Sequence, residues 1–315
     1  MVLTVTLNPA IDKLLVLKKF EVHKLHRLES SEMSVVGAGG KGVNIAINLK
    51  LLGDEVIASG FAGGHPGHLL CDDLRSMGIT TSFIFTEGLT RTNISILDQK
   101  NETLTEINDF GQDIPQDDLS FFLENYSHLL HRINFVVLAG SLPRGLPDGI
   151  YDEMIRMARE LDKKVIIHTS PYHIDALLGI SPFLINPDMR SNHKLLGKHC
   201  DGINQFINVG KEILIKNKDT EYVIFTHRLE NVVAVTRHKS YILRPRNLKI
   251  VNMLGYADAY LAGFIHAFKQ NISVTEILKF ASSAGLSNVE TLYKELREIE
   301  TITMNLKRIE MEEIA

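Results

Sequence analysis

Residues 37–44 bring glycines, a cation and an amide to the predicted start of a helix; they read Gly-Ala-Gly-Gly-Lys-Gly-Val-Asn. Glycines let the backbone approach a ligand closely, a helix N-terminus offers free N–H groups to an anion, and Lys41 adds a full positive charge. The spacing is not that of a Walker-type nucleotide loop, and no Ser or Thr follows Lys41. A glycine-rich turn before a core helix would look the same, so this segment alone does not establish an anion site.

An aspartate, Asp258, stands at the start of a second apolar helix, directly after Gly255, Tyr256 and Ala257. Such an acid often only caps the helix or complements its dipole. It could instead take a proton from an attacking hydroxyl, while free backbone N–H groups hold the charge that develops on a transferred phosphoryl group. The local pattern permits both interpretations.

Further polar residues precede or occupy segments with strand-like alternation. Asp12 follows the first predicted strand, and Arg91 and Asn93 begin a predicted hairpin. A planar guanidinium suits bidentate recognition of phosphate, although most arginines are simply solvated.

The composition of the 315-residue chain narrows the class of partner. The net charge is -4, and no apolar run approaches the roughly 18 residues that a membrane span requires. There is no Lys/Arg cluster to hold a nucleic-acid backbone. Cys71 and Cys200 form neither a disulfide framework nor a paired thiolate metal site, which favours the reducing cytoplasm. The thirteen histidines lack recognised zinc-ligand spacing. Of the classes of partner considered, the composition therefore favours a small molecule.

Short apolar runs alternate with longer segments of helical period, which predicts an α/β fold with a parallel sheet between helices. The predicted strands cover residues 3–7, 56–60, 135–139, 165–168, 183–185 and 222–225. The predicted helices cover residues 43–52, 69–77, 119–130, 150–161, 206–215, 259–268 and 274–283. Residues 290–314 suggest a charged, amphipathic helical tail.

Two stretches, 11–33 and 80–109, alternate apolar and polar residues like antiparallel strands with one wet face. Together they predict a small sheet that covers a site at the edge of the main one. We therefore expect a single domain with an inserted lid.

Five segments resemble the PfkB branch of the ribokinase-like sugar kinases, and most closely its 1-phosphofructokinase and tagatose-6-phosphate kinase group. The segments are residues 6–12 (Thr-Leu-Asn-Pro-Ala-Ile-Asp), 39–46 (Gly-Gly-Lys-Gly-Val-Asn-Ile-Ala), 90–93 (Thr-Arg-Thr-Asn), 139–143 (Ala-Gly-Ser-Leu-Pro) and 255–264. They occur in register over more than 250 residues. The resemblance implies a three-layer α/β/α sandwich with a small β lid, often dimeric through the lid.

The resemblance also implies roles for single residues. Asp258 matches the catalytic base, Asp12 the acid that holds sugar hydroxyls, and Arg91 a lid arginine that faces the phosphate already on the substrate. The glycine-rich substrate loop is matched by Gly39, Gly40, Lys41 and Asn44, with Asn93 in the lid beside Arg91. The anion hole and ATP site fall on Gly255, Tyr256, Ala257, Thr226, Arg228, Asn231 and Asn186.

The implied reaction is transfer of a phosphoryl group from ATP, with Mg²⁺, to fructose 1-phosphate or tagatose 6-phosphate. Two cations, Lys41 and Arg91, suit a dianionic substrate better than a neutral sugar. A kinase of an unphosphorylated sugar or a nucleoside is therefore less consistent with the sequence.

The departures from the family pattern lie mostly on the nucleotide side. The G-A-G-D motif reads Gly-Tyr-Ala-Asp, the S-L-G-x-x-G segment at 226–231 lacks both glycines, and His168 replaces an aspartate. Asn186, Pro187, Asp188 and Ser191 stand where K-P-N-x-x-E is expected. A phosphosugar-binding protein without efficient phosphoryl transfer is thus the alternative hypothesis, although retention of Asp258 favours an enzyme.

Overall fold

A ten-stranded sheet forms the centre of this computed structural model. The structure describes residues 1–190, 193–228 and 230–314, and at residues 227 and 228 it describes only the backbone. The strands of the molecule are β1 (Val2–Thr6), β2 (Ala10–Leu17), β3 (Ser34–Gly39), β4 (Val56–Gly63), β5 (Thr80–Thr86), β6 (Arg91–Asp98), β7 (Thr103–Ile107), β8 (Phe135–Ala139), β9 (Lys164–Thr169), β10 (Leu184–Pro187), β11 (Lys194–Leu195), β12 (Lys198–His199), β13 (Tyr222–Arg228), β14 (Asn231–Val235), β15 (Ser240–Pro245) and β16 (Ile309–Ile314).

The order of the large sheet is β16-β15-β14-β13-β10-β9-β8-β1-β4-β5. The strands from β13 to β5 in this order are parallel, and β14, β15 and β16 extend the sheet with antiparallel pairings. Every residue of β1, β4 and β8 is buried, as expected for parallel strands covered on both faces. The six strands predicted from the sequence all occur, and the predicted fold class is confirmed.

Helices cover both faces of the sheet. They are α1 (Lys41–Leu51), α2 (Gly64–Ser76), α3 (Gln116–Leu130), α4 (Ile150–Glu160), α5 (Pro171–Ala176), α6 (Ile203–Lys216), α7 (Tyr256–Phe268), α8 (Val274–Val289) and α9 (Ile299–Asn305). Helices α1, α7 and α8 contribute to one buried apolar cluster, whereas α3, α4 and α6 contribute to a second. Each large side chain fully buried in these clusters stabilises the fold by ~1.5–3 kcal/mol. Within the described ranges, no helix has both the length and the apolar character needed to cross a bilayer.

A separate four-stranded sheet, in the order β3-β2-β6-β7, forms the lid. Strands β2 and β6 pair in parallel, which sets Asp12 directly opposite Asn93. The predicted second lid segment, 80–109, begins too early, because Thr80–Thr86 pairs with β4 in the large sheet. The apolar and polar residues of Thr80–Thr86 alternate because β5 is an edge strand of the large sheet. The first segment contributes β2, and the lid is completed by β3, which lies beyond the predicted boundary at residue 33.

The predicted helical tail over 290–314 is wrong for most of its length. Only Ile299–Asn305 is α-helical there, and Ile309–Ile314 forms β16 on the outer edge of β15. Cross-strand ion pairs support this pairing, with Arg244 2.8 Å from Glu312 and Lys239 2.7 Å from Glu313. The charged residues that made this segment resemble a solvated helix belong instead to β16, at the solvent-exposed edge of the large sheet.

Candidate active site

The first turn of α7 presents free backbone N–H groups beside a buried acid. Gly255 precedes the helix with φ +79°, a left-handed conformation that L side chains rarely adopt. A Cβ at this position would lie 1.9 Å from the backbone O of Lys294, so only glycine fits. The first bond of the helix runs from Ala259 N–H to the Gly255 carbonyl, which leaves the N–H groups of residues 256–258 without a helical partner. The Asp258 side chain lies within this turn and is buried.

The two substitutions in the Gly-Tyr-Ala-Asp motif are accommodated without backbone strain. Ala257 lies within the right-handed helix and is not among the residues with positive φ. The ring of Tyr256 packs on α8, since a Cβ added to Gly285 would lie 2.7 Å from its Cε2. Burial raises the pKa of the Tyr256 phenol well above its ordinary value. Tyr256 is therefore a core residue that fills the space between α7 and α8.

Asp258 is held between α1 and the carboxyl end of β9. Asn44 donates from Nδ2 to Oδ2 of Asp258 over 2.8 Å, and His168 Nε2 lies 3.6 Å from Oδ1. His168 Nδ1 lies 2.9 Å from the backbone O of Asn186 and must donate to it, because a carbonyl can only accept. Burial lowers the pKa of His168, against the opposing effect of Asp258. A neutral imidazole therefore turns the unprotonated Nε2 toward Asp258.

A chain of ion pairs links the glycine-rich loop to the lid. Lys41 Nζ lies 2.8 Å from Asp188 Oδ2, and Arg190 Nε donates to Oδ1 of the same carboxylate over 3.1 Å. Arg190 also reaches Glu106 on β7, at 3.4 Å. Burial alone would raise the pKa of Asp188, but Lys41 and Arg190 hold it well below its usual range. Asp188 is thus a fixed negative charge at this edge of the site.

Asp12 is held on both of its oxygens. Asn93 donates to Oδ1 over 2.9 Å and Lys294 donates to Oδ2 over 2.6 Å. The carboxylate packs directly over Gly39, where a Cβ would lie 2.1 Å from Oδ2. The neighbouring Gly40 has φ +101°, so the loop needs glycine at both positions.

Arg91 stands at the start of β6, opposite Ala10. Its guanidinium donates to the backbone carbonyls of Asn8 and Asp109, each over 2.9 Å. Its Nε is buried and has no partner among the described residues.

On the nucleotide side, the sequence-predicted residues separate into two groups. Asn186 donates to the Ile224 carbonyl over 2.7 Å and to the Thr226 hydroxyl over 3.2 Å, at the carboxyl ends of β10 and β13. Asn231 instead lines a cavity of about 550 Å³ between α6 and the antiparallel strands, and none of the polar contacts of Asp258 involves it. The side chain of Arg228 and all of Ser191 lie outside the described residues.

Sequence reasoning missed two cations of this site, Arg190 and Lys294. Arg190 lies four residues after Asn186, but nothing in its local pattern distinguishes it from a solvated arginine. Lys294 is 282 positions from Asp12 in the chain and falls in the segment predicted to be a helical tail. Only the folded chain brings it to the lid.

Comparison with known proteins identifies the family. Residues 8–293 match the model of the pfkB family carbohydrate kinases. The chain belongs to this family. Among curated pfkB relatives, a 1-phosphofructokinase of Borreliella burgdorferi is 29% identical over 100% of this chain and 99% of its own. A tagatose-6-phosphate kinase of Staphylococcus epidermidis is also 29% identical, over 91% and 92% of the two chains.

Solved structures agree with this assignment. A Thermotoga maritima protein described as a possible 1-phosphofructokinase superposes with a TM-score of 0.93 at 32% identity, over 100% of this chain and 99% of that one. Phosphofructokinase-2 of Escherichia coli superposes with a TM-score of 0.87 at 19% identity, over 97% and 98% of the chains, and shows the shared fold. The resemblance inferred from the five motifs is confirmed. As a carbohydrate kinase, the protein uses ATP as its phosphoryl donor.

Proposed function

We propose that this protein phosphorylates a ketohexose monophosphate, with fructose 1-phosphate converted to fructose 1,6-bisphosphate as the leading reaction and tagatose 6-phosphate as the other candidate substrate. The observation that carries the proposal is the buried carboxylate of Asp258 beside the free N–H groups of residues 256–258. The names of the curated relatives support the choice of phosphorylated ketohexoses.

In this reaction Asp258 accepts the proton of the attacking sugar hydroxyl. The hydroxyl oxygen forms a bond to the γ-phosphorus of ATP as the bond to the β–γ bridging oxygen breaks, and ADP leaves with the electron pair. The N–H groups of residues 256–258 donate to the phosphoryl oxygens where negative charge accumulates. General-base catalysis supplies about 10²–10⁴-fold in rate, and one preorganised donor about 10²–10³-fold.

The cations around the site suit a substrate that already carries a phosphate. Arg91 places a guanidinium near Asp12 in the lid, and a guanidinium suits recognition of a phosphate. Lys41 stands at the start of α1, within reach of both the glycine-rich loop and Asp188. A substrate phosphate would add charge-assisted hydrogen bonds to these two cations, which a free sugar cannot supply.

The residues near α7 also fit a magnesium–nucleotide. Mg²⁺ usually keeps several waters and binds through one or two carboxylates and the substrate phosphates. Within the described residues, no group of three or more His, Cys, Asp or Glu side chains could hold a metal alone. Asp188, kept ionised by Lys41 and Arg190, would be the protein ligand. The bound metal would neutralise charge on the transferred phosphoryl group.

The lid and the core together form one catalytic unit in this proposal, and two lids meet in a homodimer. Exposed apolar side chains on the lid strands support such a contact, with Val36 50% and Ile107 56% exposed. We further propose that the enzyme works in the cytoplasm, where both cysteines remain reduced.

The direct test of the substrate class is coupled ADP release with fructose 1-phosphate, tagatose 6-phosphate, fructose 6-phosphate and free fructose. We expect one of the first two to give the highest kcat/KM, and free fructose to lose at least about 10²-fold because it lacks the phosphate that Lys41 and Arg91 would bind. Comparable turnover of free fructose would contradict the proposal.

A further inference from the structure

The side chain of Lys294 joins the C-terminal part of the chain to the sugar side of the site. Its ammonium donates to Oδ2 of Asp12 over 2.6 Å and to the backbone O of Ala38 over 2.7 Å. Ala38 belongs to β3, directly before the glycine-rich loop, and Asp12 belongs to the neighbouring β2. Lys294 lies outside the range matched by the family model, which ends at residue 293. No motif of the sequence assigns it a role.

The backbone around Lys294 is fixed from several sides. Leu296 N–H donates to Oδ1 of Asn48 on α1 over 2.8 Å, and Asn252 donates to the Leu292 carbonyl over 2.7 Å. The carbonyl of Lys294 itself lies against Gly255, at the N-terminus of the helix that carries Asp258. The ammonium is therefore delivered from a rigid segment that contacts both the sugar side and the phosphoryl-transfer side.

The charge on Asp12 depends on this contact. Burial raises the pKa of Asp12, but Lys294, followed by Asn93 and Arg91, lowers it below its ordinary value. The charged groups that face Asp12 are Lys294 from the C-terminal segment and Arg91 from β6, and Asn93 adds a neutral donor. Without Lys294, the partly buried carboxylate would protonate more readily and Oδ2 would lose the donor that fixes its direction.

We propose that Lys294 is the positioning residue of the sugar site: it fixes the orientation of the Asp12 carboxylate, so that both of its oxygens accept hydrogen bonds from sugar hydroxyls. This inference rests on the proposed function. Each oxygen of an ionised carboxylate has two lone pairs. Asn93 and Lys294 occupy one on each oxygen, which leaves one on each for the substrate. Lys294 acts through Asp12 and takes no part in the transfer of the phosphoryl group.

Kinetics of Lys294→Met test the role in sugar binding. We expect the KM of the sugar phosphate to rise about 10–100-fold, the range for loss of a charged hydrogen-bond partner, while the KM of ATP changes less than about twofold. The acid limb of kcat/KM should move to higher pH, because the pKa of Asp12 rises when its cation is lost. Lys294→Arg should return the acid limb toward that of the wild type.

Lys307→Met provides the matched control, since Lys307 is exposed on the surface. It should leave both KM values unchanged. The inference is overturned if Lys294→Met leaves the KM of the sugar within about threefold, raises both KM values equally, or leaves the acid limb in place.

A double-mutant cycle on the unliganded protein separates this inference from the proposed function. The free energies of unfolding of Lys294→Met, Asp12→Asn and the double variant should be strongly non-additive, because the second substitution removes an interaction already lost. Additive effects overturn the inference whatever the substrate. Absence of turnover by the wild type with every sugar phosphate would instead contradict the proposed function.

Discussion

His168 and Asp258 lie 3.6 Å apart in a part of the molecule that water barely reaches. Only 2% of the His168 side chain is exposed, and its Nδ1 proton is committed to the Asn186 carbonyl. Burial, the largest effect, lowers the pKa of His168, and Lys41 adds to it, whereas Asp258 and Asp188 oppose it. Protonation of this imidazole in the native state is therefore unfavourable.

This lowered pKa predicts a loss of stability in mild acid. The unfolded chain takes up the proton near pH 6.5, before the folded one does, so the stability that neutral His168 contributes is present above that pH and is lost as pH falls below it. His168→Gln should flatten the dependence of the free energy of unfolding on pH between 7 and 5.5. The difference in slope can reach ~1.4 kcal/mol per pH unit for one proton. Urea denaturation at several pH values measures it.

His238→Gln is the control, because His238 is exposed. The free energy of unfolding of the His238→Gln variant should vary with pH as that of the wild type does. If the free energy of unfolding depends on pH equally in His168→Gln and in the wild type, His168 is not held neutral by its surroundings.

Single residues differ in how far sequence could predict their placement. The Gly39–Gly40 pair, Asn44 and Asp258 belong to contiguous motifs, and the structure joins Asn44 to Asp258 through a 2.8 Å hydrogen bond. Lys294 belongs to no motif and meets Asp12 only through the tertiary fold. The first kind of residue is encoded by local chemistry, whereas the second depends on which distant segments meet.

The start of α7 is the element on which the phosphoryl side of the site depends. Gly255 adopts φ +79° and leaves no space for a Cβ beside the Lys294 carbonyl. The sequence alone does not determine whether Ala257 has the left-handed backbone that would strain an L residue. The structure answers this, because the left-handed residue is Gly255 and Ala257 already lies in the helix.

Gly255→Ala should therefore destabilise the protein by more than about 2 kcal/mol. The left-handed backbone alone costs about 1–2 kcal/mol for an L residue, and the overlap with the Lys294 carbonyl adds to it. Chemical denaturation measures the loss of stability. The rate of ADP release should also fall, because the N–H groups of the first turn of α7 move.

Gly149→Ala is the matched control for this substitution. Gly149 precedes α4 with φ −86°, and an added Cβ would meet nothing within 4 Å. It should change stability by less than about 1 kcal/mol, because the poorer N-cap is offset by the reduced entropy of the unfolded chain. Equal costs at the two positions would contradict the role assigned to Gly255.

Elements with uniform burial were predicted well, and those at edges were not. β1 and β8 are buried throughout and were found from the sequence. β5 was assigned to the lid because an edge strand alternates like an antiparallel one. β16 was read as helix because its partner, β15, is distant in the chain and only that pairing distinguishes the two conformations.

At the level of the whole molecule, the net charge of -4 hides a local concentration of cations. Lys41, Arg190 and Lys294 all have carboxylate partners at the site, and Arg91 lies beside Asp12. They come from α1, the loop after β10, the C-terminal segment and the lid. Overall composition predicted a small-molecule partner, but only the fold shows how these charges converge.

The proposed phosphoryl transfer depends on Asp258 as the base and on both the core and the lid of the enzyme. Its most direct test is steady-state ADP release by the wild type and by Asp258→Asn, with Mg·ATP and the preferred ketohexose phosphate. Asp201→Asn, at an exposed position, is the control for loss of a carboxylate elsewhere. We expect Asp258→Asn to lower kcat by about 10²–10⁴-fold while the protein remains folded, and Asp201→Asn to leave kcat unchanged. A folded Asp258→Asn variant with kcat within about threefold of the wild type would contradict the account.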